Sequence, residues 1–472
     1  MPQTQTPLPL AVAIAEAVRA RGGRALIVGG WVRDRLLDLE AKDLDLEVFG
    51  IAPQALKSTL EAFGSVNTVG ESFTVYKVQD LDVSLPRRES KTGRGHKGFR
   101  VEGDPSLSFR EAARRRDFTI NAMSLDPLTQ ELIDPWDGAT DLKRRTLRAV
   151  DHATFAQDSL RVLRALQFAG RFGLTVDEGT KALCRSLALD DLPAERVWGE
   201  VEKLLLRAER PSMGLTLAME LGVVDTLWPE LRVLSGCEQE FEWHPEGDVW
   251  VHTLMVADEA RKRIDDLDHP RAVVMMLSAL CHDMGKPATT RFEDGRIRSK
   301  GHEEAGVAPA TAFLDRLNIH TIDGYDVRHA VLGIVAQHLK PSMFFKSPTP
   351  VSDGAFRRLA QRVDPELLAR FAKSDCHGRT GTFDCKAMDW FLERARALGV
   401  EHQPPAPLLM GRHVLARGLP PGPAVGLLLK AVYEKQLDGE VVTIDDALAE
   451  LGRLLGVGIQ GPSSLRVEHT DE

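Results

Sequence analysis

A chain of 472 residues with 43% hydrophobic content holds enough apolar surface for roughly two to four domains, each with its own core, which excludes intrinsic disorder. A formal net charge of −9 speaks against a protein that coats nucleic acid indiscriminately. No apolar run reaches the roughly 18 residues of a bilayer span, and the first stretch lacks a basic n-region and a cleavage site. No membrane partner is therefore expected, and the cytoplasm is the expected compartment. The five cysteines, Cys184, Cys237, Cys281, Cys376 and Cys385, form no CxxC and are expected as buried thiols, not as a disulfide framework or zinc site.

In chain order, apolar spacing predicts a helix over 7–21, a buried strand at RALIV (24–28), a helix over 31–39 and a strand at LDLEVF (44–49). Gly29 and Gly30 at the first strand–helix junction permit a tight turn and leave backbone N–H groups open to a phosphate. Arg33, one turn in, can add a charge-assisted contact. Asp43 and Asp45 are two apart, so in a strand both carboxylates project from one face, and such a pair repels unless a divalent cation joins it. Then follow a helix over 53–63, strands TVYKVQ and LDVSL, a Gly- and Lys-rich loop at 90–98, a helix ending at Arg116 and a short strand near AMSLD. Between Arg87 and Arg116 ten Lys/Arg face four acids, about +6 locally, whereas the stretch from Leu437 is acidic. One face is expected to attract phosphates and the far end to repel them. From Thr154 onward the spacing is helical throughout, punctuated by prolines.

The segments RRRDFTINAMSLDP (114–127), IDPWDGATDLKRRTLRAV and FAQDSLRVLRALQFAGRFGL resemble the class II tRNA nucleotidyltransferase and bacterial poly(A) polymerase family, within the polymerase-β-like superfamily. The resemblance runs from about residue 24 to about 205. It implies an α+β fold, with a mixed-sheet head followed by an all-helical neck and body along which the tRNA acceptor arm lies. It implies that Gly30 and Arg33 bind the nucleotide triphosphate, that Asp43 and Asp45 bind Mg2+, and that Arg116 and Asp117 hold triphosphate and ribose. Asp82, with Glu89 behind it, is the candidate third carboxylate. On a helical projection Gln157, Asp158, Arg161 and Arg164 share one arc of about 120°. Asp158 beside Arg161 offers an acceptor next to a donor, which suits the amino group and bare ring nitrogen of cytosine and adenine and rejects uracil and guanine. In the family this motif selects CTP and ATP. Two positions depart from it: Gln157 stands for the usual Glu, and Gln167 for an Arg. Glu195, Arg196 and Glu200 are expected to support the neck. The loop SKTGRGHKGFRVEGDPSLSF looks full length, which favours addition of A as well as C. The alternatives are a CC-only or A-only enzyme, a poly(A) polymerase, whose basic tail is lacking here, and a catalytically dead RNA-binding head.

HPEGDVWVHTLMV (244–256), ALCHDMGKP (279–287), GHEEAGV (301–307) and KSDCHGR (373–379) supply imidazoles and carboxylates suited to transition metals or Mg2+. The ordered set resembles the HD phosphohydrolase domain, which implies a metal set of His252, His282, Asp283 and Asp375, joined by His302 and His338. The metal would be Ni2+, Mn2+ or Mg2+, and the activity that of a phosphatase or 2',3'-cyclic phosphodiesterase. The tandem of head and HD domain resembles the long bacterial CCA-adding enzymes. The expected division is a head over 1–150, neck and body over 151–235, HD domain over 236–350 and a helical C-terminal region over 351–472.

Overall fold

The computed structural model describes residues 8–41, 43–69, 75–91 and 99–456. The loop residues 92–98 and the side chain of Glu89, on which two of the expectations above rest, lie outside the described residues. The chain forms two compact units, Met1–Ser235 with Ala312–Ile319, and Gly236–Thr311 with His320–Glu472. No helix among the described residues is long and apolar enough to cross a membrane.

In the first unit, helix α1 (Leu8–Ala20) buries Ala11, Ile14, Ala15 and Val18, an i, i+3, i+4, i+7 stripe, and packs on strand β1 (Arg24–Val28). Helix α2 (Gly30–Leu36) and strand β2 (Asp45–Phe49) follow, then α3 (Pro53–Leu60), β3 (Val66–Val69), β4 (Val75–Val78) and β5 (Leu81–Ser84). A hairpin of β6 (Arg87–Lys91) and β7 (Phe99–Gly103) leads to α4 (Phe109–Arg114), β8 (Ser124–Leu125), β9 (Leu132–Ile133) and α5 (Gly138–Lys143). The sheet is mixed, in the order β3-β4-β5-β2-β1-β8-β9, with β2 and β5 as its parallel pair. A parallel pair needs a crossover connection, and α3 with β3 and β4 provides it. Strand β3 and the β6–β7 pairing were not expected from the sequence, because neither segment alternates cleanly. Asp43 lies just before β2, so of the two aspartates only Asp45 is a strand residue.

The neck begins with β10 (Thr146–Leu147) and α6 (His152–Phe155), and continues through α7 (Leu160–Phe172), β11 (Thr175–Val176), α8 (Glu178–Arg185), α9 (Ala194–Arg207), α10 (Pro211–Glu220), α11 (Val223–Leu227) and α12 (Pro229–Arg232). Helix α7 packs against α9 and α10. Gly173, at φ +61°, ends it in the left-handed conformation.

The second unit is built round helix His269–Cys281, whose residues Ala272–Cys281 are all buried. An apolar surface all round requires neighbours on every side, and helices Val249–Arg261, Val327–Gln337 and Pro365–His377 supply them. The expectation of an all-helical remainder needs correction in three places. β10 pairs with β11, and hairpins form over Arg291–Arg298 and Thr321–Asp326. Both hairpins turn on Asp-Gly, with Asp294 and Gly295 at φ +51° and +76° and Asp323 and Gly324 at +50° and +81°. The cysteine expectation is corrected as well. Cys376, near the end of Pro365–His377, forms a disulfide with Cys385 at the start of helix Lys386–Ala397. Nine residues let the chain double back and set the two Cα atoms 6.0 Å apart. Cys184 and Cys281 are buried thiols, and Cys237 is half-buried.

Candidate nucleotide site and candidate metal centre

Strand β1 delivers the chain to Gly29, whose φ of +76° is open to glycine at little cost. A Cβ there would lie 3.1 Å from Arg116 Nη1. Arg33 is 5% exposed; its Nη1 donates to Asn121 Oδ1 at 2.7 Å and its Nε to Asp34 Oδ1 at 2.8 Å. The guanidinium sits 4.4 Å from the Phe172 ring centroid. Burial lowers the pKa of both Arg33 and Arg116, so each is a charge that gains from a bound anion. A capping box of Ser108 and Glu111 fixes the start of α4 and thereby the place at which RRRD arrives.

These residues line a cavity of about 370 Å³ with seven arginines (33, 87, 115, 116, 161, 164, 196) and two aspartates (117, 158). That imbalance favours a polyanion. Asp117 ties its wall together, accepting from Phe118 N at 2.7 Å, Asn121 Nδ2 at 2.9 Å and Arg164 Nε at 2.6 Å. Burial alone would raise its pKa, but the Arg164 charge and these hydrogen bonds prevail and hold it below the ordinary value.

Helix α7 starts at Leu160, so Gln157 and Asp158 lie in the turn before it and not on the helical arc. Asp158 is held by Arg196, Nη2 to Oδ2 at 3.1 Å, while Arg161 donates to the carbonyls of Thr154 at 2.8 Å and Arg115 at 2.6 Å. Arg196, expected as a neck support, therefore also lines the cavity. Glu200 is buried and bonded to Lys203 at 2.8 Å. Gln167 is buried with its Oε1 lacking a hydrogen-bond partner, and it does not line the cavity. Asn121, Arg87, Arg115 and Arg196 were not singled out as binding residues; the basic stretch signalled Arg87 and Arg115, and Arg196 stood out only as a neck support.

Asp45 pairs across the sheet with Val28 on one side and Asp82 on the other. Desolvation, then the charges of Asp82 and, less, Asp43, push its carboxyl above the ordinary value, with Arg116 opposing. Carboxylates that raise one another's pKa fit a hard, oxygen-seeking cation. Lys77 Nζ is 3.8 Å from Asp82 Oδ1, so Asp82 also has a cation partner on the neighbouring strand.

In the second unit, helix Val249–Arg261 carries His252, and His282 and Asp283 end the buried helix His269–Cys281. His302 opens a short helix, His338 closes Val327–Gln337, and Asp375 lies on Pro365–His377. All six are buried. Nδ1 of His282, His302 and His338 bonds the carbonyl three residues earlier, at 3.1, 2.7 and 2.8 Å, and His252 Nδ1 lies 3.1 Å from Gly378 O. A carbonyl only accepts, so Nδ1 carries a proton in each, and Nε2 is the ring nitrogen turned inward. There His302 Nε2 stands 3.2 Å from His338 Nε2 and 3.4 Å from Asp283 Oδ1. His252 Nε2 is 3.0 Å from Asp375 Oδ1, and His282 Nε2 is 3.1 Å from Asp283 Oδ2, with neither atom of the latter pair in a hydrogen bond of sound geometry. Imidazole nitrogens and carboxylate oxygens gathered at these distances are a donor set that fits divalent cations. Burial, then His302 and His282, push His338 down to about 3, which keeps it neutral.

Ligand atoms fall into overlapping groups, His252–His282–Asp283 and Asp283–His302–His338, with Asp283 common to both. A third group adds His244 and Glu246 to His252, two residues not singled out from the sequence. Burial pushes His244 down to about 4. Lys286 Nζ is 2.7 Å from Asp283 Oδ2 and 2.6 Å from Gln239 Oε1.

Three family models match: the poly A polymerase head domain over 25–148, the probable RNA and SrmB-binding site of polymerase A over 173–234, and the HD domain over 249–371. A "Multifunctional CCA protein" of Stenotrophomonas maltophilia (strain K279a) is 38% identical over 376 residues, covering 76% of this chain and 87% of the relative. One of the same description from Pasteurella multocida (strain Pm70) is 38% identical over 309 residues, 63% and 71% of the two chains. Among solved structures, the Bacillus stearothermophilus CCA-adding enzyme in complex with CTP aligns with a TM-score of 0.64 at 21% identity, covering 96% and 99% of the two chains. The Thermotoga maritima CCA-adding enzyme complexed with tRNA aligns at 0.56 and 18%, covering 95% of each. At these identities the structural likeness speaks for the fold.

Proposed function

The chain belongs to the family of multifunctional CCA proteins, and we propose that it adds C and A residues to the 3' end of tRNA from CTP and ATP in the cytoplasm. The observation that carries this reading is the cavity of seven arginines beside the Asp45–Asp82 strand pair. Mg2+ bound by Asp43, Asp45 and Asp82 would lower the pKa of the attacking hydroxyl and neutralise charge on the phosphates. The tRNA 3'-oxygen forms a bond to the α-phosphorus as the bond to pyrophosphate breaks. Arg33 and Arg116, with the Gly29–Gly30 turn, hold the triphosphate. Asp117 anchors Arg164 and Asn121, and Asp158 with Arg161 reads the base, Arg196 fixing the Asp158 carboxylate. Extension of tRNA transcripts ending at the discriminator base, after C and after CC, tests this. Completion of CCA from the shortest supports it, and arrest after CC means a partial specialist.

The second unit is assigned as a metal-dependent phosphohydrolase acting on phosphomonoesters or 2',3'-cyclic phosphates. Its donors fit metals held by His252, His282, Asp283, His302, His338 and Asp375. Imidazole nitrogen favours Ni2+ or Mn2+ over Mg2+, and a bound metal would supply an activated water. The proposed division keeps the head at 1–150 and the neck and body at 151–235, but carries the HD part from 236 past 350 to His377, since Asp375 faces His252. A His282→Ala, Asp283→Ala variant is expected to lose phosphoesterase activity and keep nucleotide addition; unchanged hydrolysis would remove the assignment.

A further inference from the structure

The carboxylate of Glu246 is buried in the turn before helix Val249–Arg261, with 1% of its side chain exposed. Its Oε1 lies 2.9 Å from His244 Nδ1 and 2.9 Å from His252 Nδ1, and its Oε2 accepts from Thr380 N at 3.1 Å. Burial alone would push this carboxyl up, but the hydrogen bonds from the two imidazoles and from Thr380 prevail and hold it below the ordinary value. It stands as an anion inside the protein. An apolar side chain would fill the turn without that desolvation cost, so packing does not account for it.

His244, Glu246 and His252 are close enough together to hold an ion. His252 Nδ1, however, faces Gly378 O at 3.1 Å, and a carbonyl only accepts, so a proton occupies that nitrogen and closes it to a metal. The nitrogen left for a metal is Nε2, 3.0 Å from Asp375 Oδ1. The centre opens into a cavity of about 310 Å³ that Asp283 and Asp375 line and Glu246 does not. Glu246 thus touches His252 at the nitrogen that the metal does not use.

His282, His302 and His338 each bond a carbonyl three residues earlier, within their own turn of chain. His252 is fixed from outside, by Gly378 O and by Glu246. Thr380 ties the carboxylate to the segment that carries Gly378, and that segment lies so close to helix Val249–Arg261 that a Cβ on Gly378 would stand 2.9 Å from Val256 N. One carboxylate braces both the ring and the backbone that faces it. An anion beside Nδ1–H also keeps the proton there and raises the donor strength of the other nitrogen.

We propose that Glu246 is a positioning residue of the metal centre, which locks the His252 ring with Nδ1 protonated and so presents Nε2 to a bound cation. The proposal rests on the reading of the second unit as a metal-dependent phosphohydrolase. His244 completes the brace as the second imidazole on the same oxygen.

The test titrates the metal-free full chain with Ni2+ by calorimetry and with Co2+ by visible absorption, each in excess Mg2+ to occupy the head. Variants are Glu246→Ala and Glu246→Gln, the latter keeping an acceptor but not the charge. Glu246→Ala is expected to weaken Ni2+ binding about ten- to a hundredfold, with the same number of ions bound at saturation and with shifted Co2+ bands. Glu246→Gln restores part of the loss. An unchanged dissociation constant in Glu246→Ala overturns the proposal. So does the loss of one bound ion, which makes Glu246 a ligand, or weaker binding with unmoved Co2+ bands, which makes it a filler of space. Where Glu246→Ala does not fold by circular dichroism, Glu246→Gln decides by the same readings. A wild type that binds metal but hydrolyses neither p-nitrophenyl phosphate nor adenosine 2',3'-cyclic phosphate removes the phosphohydrolase reading and leaves the titration to judge Glu246.

Discussion

Asp158, proposed above to read the base, shows how such a carboxylate is kept in position. Its partner Arg196 sits on α9, so the carboxylate is held from a separate helix as well as by Leu160 N, two residues on, at 3.2 Å. Arg196→Ala is expected to cut CTP and ATP incorporation about tenfold while raising relative use of UTP, read by primer extension with single nucleotides. Asp45→Asn should lower incorporation at least about a hundredfold, because charge developing on the phosphates loses its counterion, while the fold persists by circular dichroism. Asp117 carries a pH signature. Its folded pKa lies below the unfolded value of about 3.9, so the stability it contributes is full above that value and is lost as pH falls through the folded pKa. Asp117→Asn is therefore expected to cost about 2 kcal/mol at pH 7, with the gap to wild type closing as acid unfolding is followed below pH 4.

At the scale of elements, close approaches between helices decide more than propensities. A Cβ on Gly214, in α10, would lie 2.6 Å from Leu166 O on α7. Gly214→Ala should lower stability by about 1–3 kcal/mol in denaturant titration, since backbone must shift. Gly285 is tighter still: its Cβ would stand 2.0 Å from His302 O. The glycine after His282-Asp283 thus lets the segment bearing His302 come near Asp283. Gly285→Ala is expected to weaken metal binding at the second unit and leave CCA addition alone, measured by metal content after dialysis. Several elements were legible in the sequence for stated reasons: β1 from its unbroken apolar run, α1 from its stripe, the Gly29–Gly30 turn from its residue types. The Asp-Gly hairpins were equally legible, yet the surrounding helical spacing masked them, because each strand has only two or three residues. β3 was not legible, since its pairing with β4 comes from the sheet and not from its own alternation.

Across the whole molecule, two donor chemistries stand on one chain. Asp45 and Asp82 are neighbours across two strands of the head, and imidazole nitrogens with carboxylates gather in the second unit. Stripping metal with a chelator should abolish both activities. Mg2+ is expected to restore nucleotide addition, and Ni2+ or Mn2+ the phosphoesterase, because nitrogen donors favour the later metals. By itself the sequence determined the residue types, their order and the local turns, and hence the class of fold and the chemistry each motif could serve. These follow from steric and hydrophobic rules that act over a few residues. Tertiary structure alone decided that Arg196 meets Asp158, that Cys376 joins Cys385, and that His244 and Glu246 come up to His252. Such encounters join residues far apart along the chain, and only packing of the helices and sheet round their cores sets which of them come within a few ångströms.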